Sequence, residues 1–356
     1  MAGPALAALL GTELPVIQAP MAGVQGCALA LAVSRAGGLG SLPCAMLGPE
    51  AIRGELARLR DGTDRPFAVN FFCHRPPAPD ARREQAWRAA LAPYAAEAGI
   101  DLEMAPPGAG RAPFSEALCE LIEPFRPPVV SFHFGLPAPA LLARVKAWGA
   151  VVLSSATTVE EARWLEAHGA DAVIAQGLEA GGHRGHFLGA DADVSPQQGL
   201  FALLPQVARA VRVPVIAAGG IAGPQEAAAA RALGAAGVQA GTAYLLCPEA
   251  STPALHRAAL REAAAPGPTA AGTTLTDVFT GRPARALINR LVRERGPMGA
   301  EVPAFPLAAA VLAPLRAAAE ARGRADFTPL WAGCRADACR EIPAAELTRH
   351  LGAGWA

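Results

Sequence analysis

The segment from Gln176 to His186 carries the highest density of groups in this chain that can do chemistry. Its sequence, QGLEAGGHRGH, combines four glycines, two histidines, an arginine and a carboxylate. Glycines let a backbone approach a flat ligand closely, and an imidazole titrates near neutrality and can accept a proton. His183 follows two adjacent glycines and is the better candidate for a base, with His186 as its neighbour or a hydrated side chain. The alternative interpretation is a mobile glycine-rich loop whose charges are solvated.

Three shorter segments place polar or small residues beside apolar runs. His133 alternates with aromatic residues in SFHFG, where it is a hydrogen-bonded core residue, a substrate contact or a catalytic group. Asn70 lies near the end of an apolar run, so its amide needs a ligand or a loop as partner if it is buried. Ala19, Pro20 and Met21 form a turn that lets the backbone approach a flat ligand, although an ordinary turn has the same composition.

Two further turns of small residues follow two neighbouring apolar runs. They contain Ala218, Gly219 and Gly220 in the first turn, and Gln239, Gly241 and Thr242 in the second. Backbone amides in such turns bind phosphate when the turns follow adjacent strands of a barrel. Neither turn is specific by itself, but the pair predicts a phosphate site. The chain has no P-loop and no GxGxxG motif.

Eight short apolar runs alternate with Ala-, Leu- and Arg-rich stretches of helical character. The runs are Leu14–Gln18, Gly38–Ser41, Phe67–Phe71, Val129–Phe132, Ala150–Leu153, Ala172–Ala175, Val213–Ala217 and Gly237–Ala240. They are continuously apolar, which is typical of strands buried on both faces of a parallel sheet. The repeat predicts a (β/α)8 TIM barrel, with a doubly wound sheet as the competing fold. The segments described above then lie in the loops after strands, where barrels carry their active sites.

The alternation is interrupted once and stops before the C-terminus. Residues from about 97 to 113 are rich in proline and glycine and predict an insertion in the third crossover. We expect residues 1–265 to form the barrel and residues 266–356 to form a helical extension packed on it. Within that extension, Ala286–Glu294, Leu307–Arg322 and Ala344–Leu351 have helical composition.

Composition excludes several classes of function. The 31 basic residues balance 31 acidic ones, which argues against nucleic acid as a partner. No apolar run is long enough to cross a membrane, and the N-terminal run lacks the basic residues of a signal peptide. Seven scattered cysteines without a CxxC pair indicate neither a disulfide framework nor a metal site. These features predict a reduced, cytoplasmic protein.

Several of these segments together resemble the nitronate monooxygenases, formerly called 2-nitropropane dioxygenases. The resemblance runs from about Leu14 to Arg290. It is carried by the phrases IQAPMAG, SFHFGLP, AQGLEAGGHRG, AAGGIA, VQAGTAYL and FTGRPARALINRL. AQGLEAGGHRG and SFHFGLP are the most specific of these phrases, and the second one is similar to the class I branch. The resemblance implies an FMN-dependent (β/α)8 enzyme that oxidises alkyl nitronates or nitroalkanes with O2 to a carbonyl compound and nitrite, without a need for NAD(P)H.

The resemblance also implies roles for individual residues. His183 matches the catalytic histidine of the family, and His133 is expected to border the nitro group of the substrate. The FMN phosphate is expected at Gly219, Gly220, Gly241 and Thr242, next to Ala218 and Gln239. The flavin ring is expected near Ala19, Pro20, Met21, Asn70, Gln176, Gly181 and Gly182.

Departures from the family pattern leave the substrate open. Class I relatives tend to carry active-site tyrosines and a lysine in the C-terminal part, whereas this chain has only Tyr94, Tyr244 and an early lysine, Lys146. Of these, Tyr244 follows the second phosphate turn and is a candidate pocket residue. Two other functions remain open: an NAD(P)H-dependent flavin enoyl-thioester reductase of the related barrel type, and a flavin-binding barrel without catalysis. The assembly state is also open, with a homodimer as one option.

Overall fold

A computed structural model describes residues 3–102, 111–190, 192–265 and 272–355 of the chain. The central part of the predicted insertion, residues 103–110, lies outside the described residues. The described parts contain eleven strands. They are β1 (Val16–Gln18), β2 (Gly40–Pro43), β3 (Phe67–Phe72), β4 (Val129–His133), β5 (Val151–Ala156), β6 (Ala172–Gln176), β7 (Gly182–His183), β8 (Val215–Ala218), β9 (Gly237–Ala240), β10 (Thr273–Thr276) and β11 (Ala284–Leu287).

Eight of these strands form a parallel barrel, as the sequence predicts. Their order around the sheet is β1, β9, β8, β6, β5, β4, β3 and β2. An isolated parallel bridge between Ile17 and Leu39 brings the first and last strands together, so the barrel is nearly closed. The (β/α)8 fold class is therefore confirmed, and each predicted strand is found within a few residues of its expected bounds.

Thirteen α-helices of the described parts surround the barrel or extend from it. They are α1 (Gly3–Leu10), α2 (Cys27–Arg35), α3 (Pro49–Gly62), α4 (Ala81–Ala98), α5 (Glu116–Ile122), α6 (Pro139–Ala147), α7 (Val159–Ala167), α8 (Leu200–Ala210), α9 (Pro224–Ala232), α10 (Ala254–Ala264), α11 (Arg290–Arg295), α12 (Ala308–Ala321) and α13 (Ala344–Gly352). Helices α2 to α9 lie between successive barrel strands. No helix among the described residues is long and apolar enough to cross a membrane.

The barrel interior is packed and closed at one end by α1. Leu6 and Leu10 of this helix are buried in one cluster with Ile17, Leu39 and Ile216 from the strands. Inward-pointing apolar side chains of this kind make the centre of such a barrel a solid core rather than a pore. The opposite end, where the strands have their carboxyl termini, is left for the loops of the site.

The C-terminal part is not purely helical, which corrects one expectation. Residues Ala286 and Leu287 belong to strand β11, which pairs antiparallel with β10 and with β7, and the helix α11 begins only at Arg290. Alanine, arginine and leucine favour helices locally, but tertiary pairing overrides that propensity here. The hairpin thereby joins the C-terminal part to the loop that carries His183.

Candidate active site

A cleft of about 190 Å³ opens at the carboxyl ends of the barrel strands. All fifteen residues that the sequence singles out for the site line it. They are Ala19, Pro20, Met21, Asn70, His133, Gln176, Gly181, Gly182, His183, Ala218, Gly219, Gly220, Gln239, Gly241 and Thr242. The fold brings them together from the ends of six barrel strands and the segments that follow them, but their individual roles stay predictions.

His183 is fixed in the cleft by a hydroxyl and by aromatic rings. Its Nε2 lies 2.9 Å from Oγ1 of Thr280, in the turn between β10 and β11. The rings of Phe305 and Trp331 lie 5.1 and 5.2 Å from the imidazole, centroid to centroid. Because β7 pairs with β11, the backbone at His183 is held as a strand rather than as a mobile loop.

The surroundings of His183 keep its imidazole neutral. Burial lowers the pKa of His183 well below its usual value, and the nearby cations Arg111 and Arg282 and the imidazoles of His133 and His74 lower it further. A protonated imidazole would add a positive charge to a site that already holds two guanidinium groups, with little water to screen them. His183 therefore holds a proton-accepting nitrogen at neutral pH.

His133 and Gln176 both form hydrogen bonds with the backbone of the segment that carries His183. His133 Nε2 lies 3.2 Å from the carbonyl oxygen of His183, and its Nδ1 lies 3.1 Å from Ser155 Oγ. Gln176 donates from Nε2 to the same carbonyl at 3.0 Å and accepts from the amide of Gly185 at 2.8 Å. Burial lowers the pKa of His133 to about 3, so its ring is neutral and donates to the carbonyl. Both ring nitrogens of His133 are thus occupied by protein partners.

The two charged residues beside His183 in the motif have structural contacts. Arg184 is fully buried and donates to the carbonyl oxygens of Gln176 and Gly177 and to Oε1 of Gln197, each at 2.7 Å. Glu179 accepts from the amide of Leu200, the first residue of α8, at 2.8 and 3.0 Å. Such contacts satisfy backbone groups that would be costly to bury alone. They anchor the glycine-rich segment at both ends.

Two buried glutamines, which sequence reasoning missed, shape the first loop. Gln18 and Gln25 bond each other at 2.6 Å, and Gln25 Oε1 accepts from the amide of Met21 at 3.0 Å. Gln18 Oε1 accepts from the amide of Ser41 at 3.0 Å, which ties the loop to β2. A buried side-chain network of this kind fixes the turn at Met21.

The glycine turns at the ends of β8 and β9 adopt conformations that require small residues. Gly219 and Gly220 have φ values of 122° and 70°, in the left-handed region. A Cβ at Gly241 would lie 3.3 Å from the Cβ of Ala19. Thr242 Oγ1 accepts from the amide of Gly333 at 2.9 Å, so the C-terminal part meets this turn directly.

The C-terminal part also crosses the mouth of the cleft. Trp331, Gly333 and Arg335 line the cleft, and the amide of Cys334 donates to the carbonyl of Glu179 at 2.9 Å. The sequence signal for this contact is weak, because these residues lie about 150 positions after the loop they cover. Only the neighbouring phrase FTGRPARALINRL, which contains Thr280, indicates that the late part of the chain belongs to the site.

Comparison with known proteins agrees with this geometry. The model of the nitronate monooxygenase family matches residues 3–354. The chain belongs to the nitronate monooxygenase family. It is 45% identical to a nitronate monooxygenase of Pseudomonas aeruginosa over 96% of either chain, and 42% identical to one of Paraburkholderia phytofirmans over 98% of this chain and 93% of the relative. A nitroalkane oxidase structure from Streptomyces ansochromogenes has a TM-score of 0.87 and 43% identity, covering 98% of this chain and 97% of that one.

Membership in this flavin-dependent enzyme family bears out the resemblance and makes the chain an oxidoreductase. Tyr244 and Lys146, which were considered for the site from the sequence, do not line the cleft. The expectation that Tyr244 lines the pocket is wrong: its side chain is fully buried and its hydroxyl lies 2.9 Å from Thr348 Oγ1 of α13. Lys146 bonds the carbonyl of Gly169 and Asp171 at 2.7 and 2.8 Å. Within the described residues, the cations that line the cleft are arginines, Arg111 and Arg335.

Proposed function

We propose that this enzyme uses FMN to oxidise alkyl nitronates, and nitroalkanes that it first deprotonates, with O2 to a carbonyl compound and nitrite. The observation that carries the proposal is the neutral His183 imidazole in a half-buried cleft between the glycine turns and a wall of aromatic side chains. Nitronate and nitroalkane oxidation are the activities named for its relatives in Pseudomonas and Streptomyces.

The residues of the cleft fit FMN. The left-handed turn at Gly219 and Gly220 and the small residues at Gly241 and Ala19 leave backbone exposed to a ligand where any larger side chain would intrude. We assign the phosphate to these two turns, and the ring to the face formed by Pro20, Met21 and the apolar strand ends. A bound flavin supplies the electron acceptor for oxidation of the nitronate by O2. The chain itself supplies binding, orientation and proton transfer.

We assign proton removal to His183. Thr280 Oγ1 lies 2.9 Å from Nε2 of His183 and 3.5 Å from the carbonyl oxygen of Arg282, an acceptor for the hydroxyl proton. The hydroxyl that donates to this carbonyl accepts from Nε2–H of the imidazole, and this tautomer leaves Nδ1 to take the α-proton of a nitroalkane. A preformed nitronate has already lost that proton and does not need this step.

In our proposal, His133 affects proton removal indirectly, by holding the backbone at His183 in place. Its imidazole donates to the carbonyl of His183 and accepts from Ser155, so both nitrogens serve to hold the base in place. The expectation that His133 borders the nitro group is compatible with its place on the cleft wall, but its hydrogen bonds favour a positioning role.

The function is tested on the flavin-loaded protein. The bound flavin is released by heat and identified by chromatography, and oxygen uptake and nitrite are measured with ethylnitronate, propionate 3-nitronate and nitroethane. We expect FMN, oxygen uptake with nitronates and nitrite as product, at rates that do not change when NADH is added. Absence of oxygen uptake with every nitronate would contradict the proposal.

The same assay separates the two alternative functions. Fast reduction of the flavin by NADH together with reduction of an enoyl thioester would indicate an enoyl reductase. Bound flavin with no turnover of either substrate class would indicate a binding protein.

A further inference from the structure

Arg111 is a half-buried cation in the cleft, and no acidic side chain among the described residues pairs with it. Its side chain lines the cleft, and its Nη1 is buried and has no hydrogen-bond partner among the described residues. Burial of a guanidinium is costly unless the charge is paired. Burial and the nearby Arg316 both lower the pKa of Arg111, because both disfavour its charged form.

The described carboxylate that lines the cleft does not pair with this charge. Glu179, the acidic residue among the described lining residues, is bonded to the amide of Leu200. The other arginine that lines the cleft, Arg335, already pairs with Glu226 and lies 3.2 Å from Asp337. Among the described residues, Arg335 thus has an internal counter-charge and Arg111 has none.

Arg111 and the base flank the same aromatic ring. The guanidinium carbon of Arg111 lies 5.6 Å from the centroid of Phe305, and the imidazole of His183 lies 5.1 Å from that centroid. A ligand that reaches His183 therefore comes within reach of a cation. A guanidinium presents its donors in a plane, which matches an anion with two oxygens such as a nitronate or a carboxylate.

We propose that Arg111 is a substrate-binding residue that pairs with a two-oxygen anion of the substrate, either the nitronate itself or a carboxylate carried beside it. This inference rests on the proposed function and names the charge class of its substrate. It also explains how a chain without a lysine at the cleft holds an anionic substrate.

The test compares Arg111→Met and Arg111→Lys with the wild-type enzyme. Loss of a charged hydrogen bond is expected to lower kcat/KM for nitronates about 10- to 100-fold in Arg111→Met, whereas the lysine retains part of the activity. An equal fall for ethylnitronate and propionate 3-nitronate assigns Arg111 to the nitronate, and a fall confined to propionate 3-nitronate assigns it to the carboxylate. Arg53→Met, at an exposed position of α3, is the matched control and keeps wild-type values.

Two measurements do not depend on turnover. Nitrate, a planar anion that is not oxidised, is titrated calorimetrically into each flavin-loaded protein, and we expect its affinity to fall at least tenfold in Arg111→Met. Unfolding temperature and flavin content check that the variant is folded, with Arg111→Gln as a second variant if the methionine variant is not.

Two results would overturn the proposal. In the first, Arg111→Met keeps a nitronate kcat/KM within twofold of wild type and an unchanged nitrate affinity. In the second, the variant loses flavin while its nitrate affinity is unchanged. If the wild type oxidises no nitronate, the proposed function fails, and the nitrate titration still decides the role of Arg111.

Discussion

Nε2 of His183 and Oγ1 of Thr280 lie 2.9 Å apart although 97 residues separate them in the chain. His183 lies on β7, at the end of the glycine-rich loop, and Thr280 lies in the hairpin turn between β10 and β11. The pairing of β7 with β11 brings them together. The C-terminal part of the chain is thus a component of the site and orients the proposed base.

Replacing Thr280 by valine removes this contact while nearly conserving the shape of the side chain. We expect kcat/KM for nitroethane to fall roughly 3- to 10-fold, because one hydrogen bond that sets the imidazole tautomer is lost. Turnover of ethylnitronate, which needs no proton removal, is expected to change less than twofold. Thr280→Ser keeps the hydroxyl and serves as the control, and an equal loss for both substrates would speak against a tautomer role.

His183→Asn tests the proton transfer itself. Removing a general base is expected to lower kcat/KM for nitroethane by about 10²- to 10⁴-fold, while the preformed nitronate is still oxidised. Steady-state oxygen uptake with both substrates measures the difference, and the flavin spectrum checks that cofactor is retained. Unchanged nitroethane turnover would show that another group removes the proton.

The acid limb of the pH profile of kcat/KM for nitroethane depends on the pKa of His183. Because burial and the facing groups Arg111, His133, Arg282 and His74 lower the pKa of His183, the imidazole stays neutral as the pH falls through the ordinary histidine value of about 6.5. We expect kcat/KM to decline only below that pH. In Arg111→Met the limb moves upward, toward the ordinary value, because one positive charge is gone. A wild-type limb at or above pH 6.5 would contradict the electrostatic description.

Gly181 allows the C-terminal segment to lie against the cleft. A Cβ at this position would lie 2.6 Å from the amide nitrogen of Gly333 and 2.7 Å from the carbonyl carbon of Ala332. Gly181→Ala is therefore expected to destabilise the flavin-loaded protein by about 1–3 kcal/mol and to weaken flavin retention. Thermal unfolding and dialysis of the flavin measure both effects. Gly54→Ala, within α3 and with nothing near the added methyl group, is the matched control and is not destabilising.

Asp277 lies at the start of the hairpin turn between β10 and β11, and its titration makes the stability of the protein depend on pH. Burial and, to a smaller extent, Glu301 raise its pKa to about 6, although the amide of Gly299 donates to its Oδ1 and Arg83 lies nearby. Since the folded-state pKa exceeds the unfolded value of about 3.9, stability is lost as the pH rises between these values, by at most about 3 kcal/mol.

Asp277→Asn removes this titration and keeps an acceptor for Gly299. We expect the variant to unfold at a higher temperature than the wild type at pH 7.5, with the difference disappearing near pH 4. Thermal unfolding over this pH range measures it. A variant that is less stable than the wild type at pH 7.5 would show that the carboxylate is needed in its charged form.

The sequence alone determined the barrel and fifteen of the residues that line the cleft. Continuous apolar strands separated by helices specify a parallel barrel, because both faces of each strand must be buried, and the loops after the strands then share one end. Residues as far apart as Ala19 and Thr242 could therefore be assigned to one site from local patterns. Glycine turns such as Gly219–Gly220 are readable in the same way, because their conformation excludes other residues.

Only the tertiary structure decided which groups act on His183. Thr280, Phe305 and Trp331 reach it from the C-terminal part, and no local pattern indicates a contact made across more than 90 residues. The strand that ends at Leu287 has the composition of a helix, and it is a strand because it completes a sheet with β7. The lack of a counter-charge for Arg111 among the described residues is likewise a property of the fold, because distant segments determine which side chains pack around it.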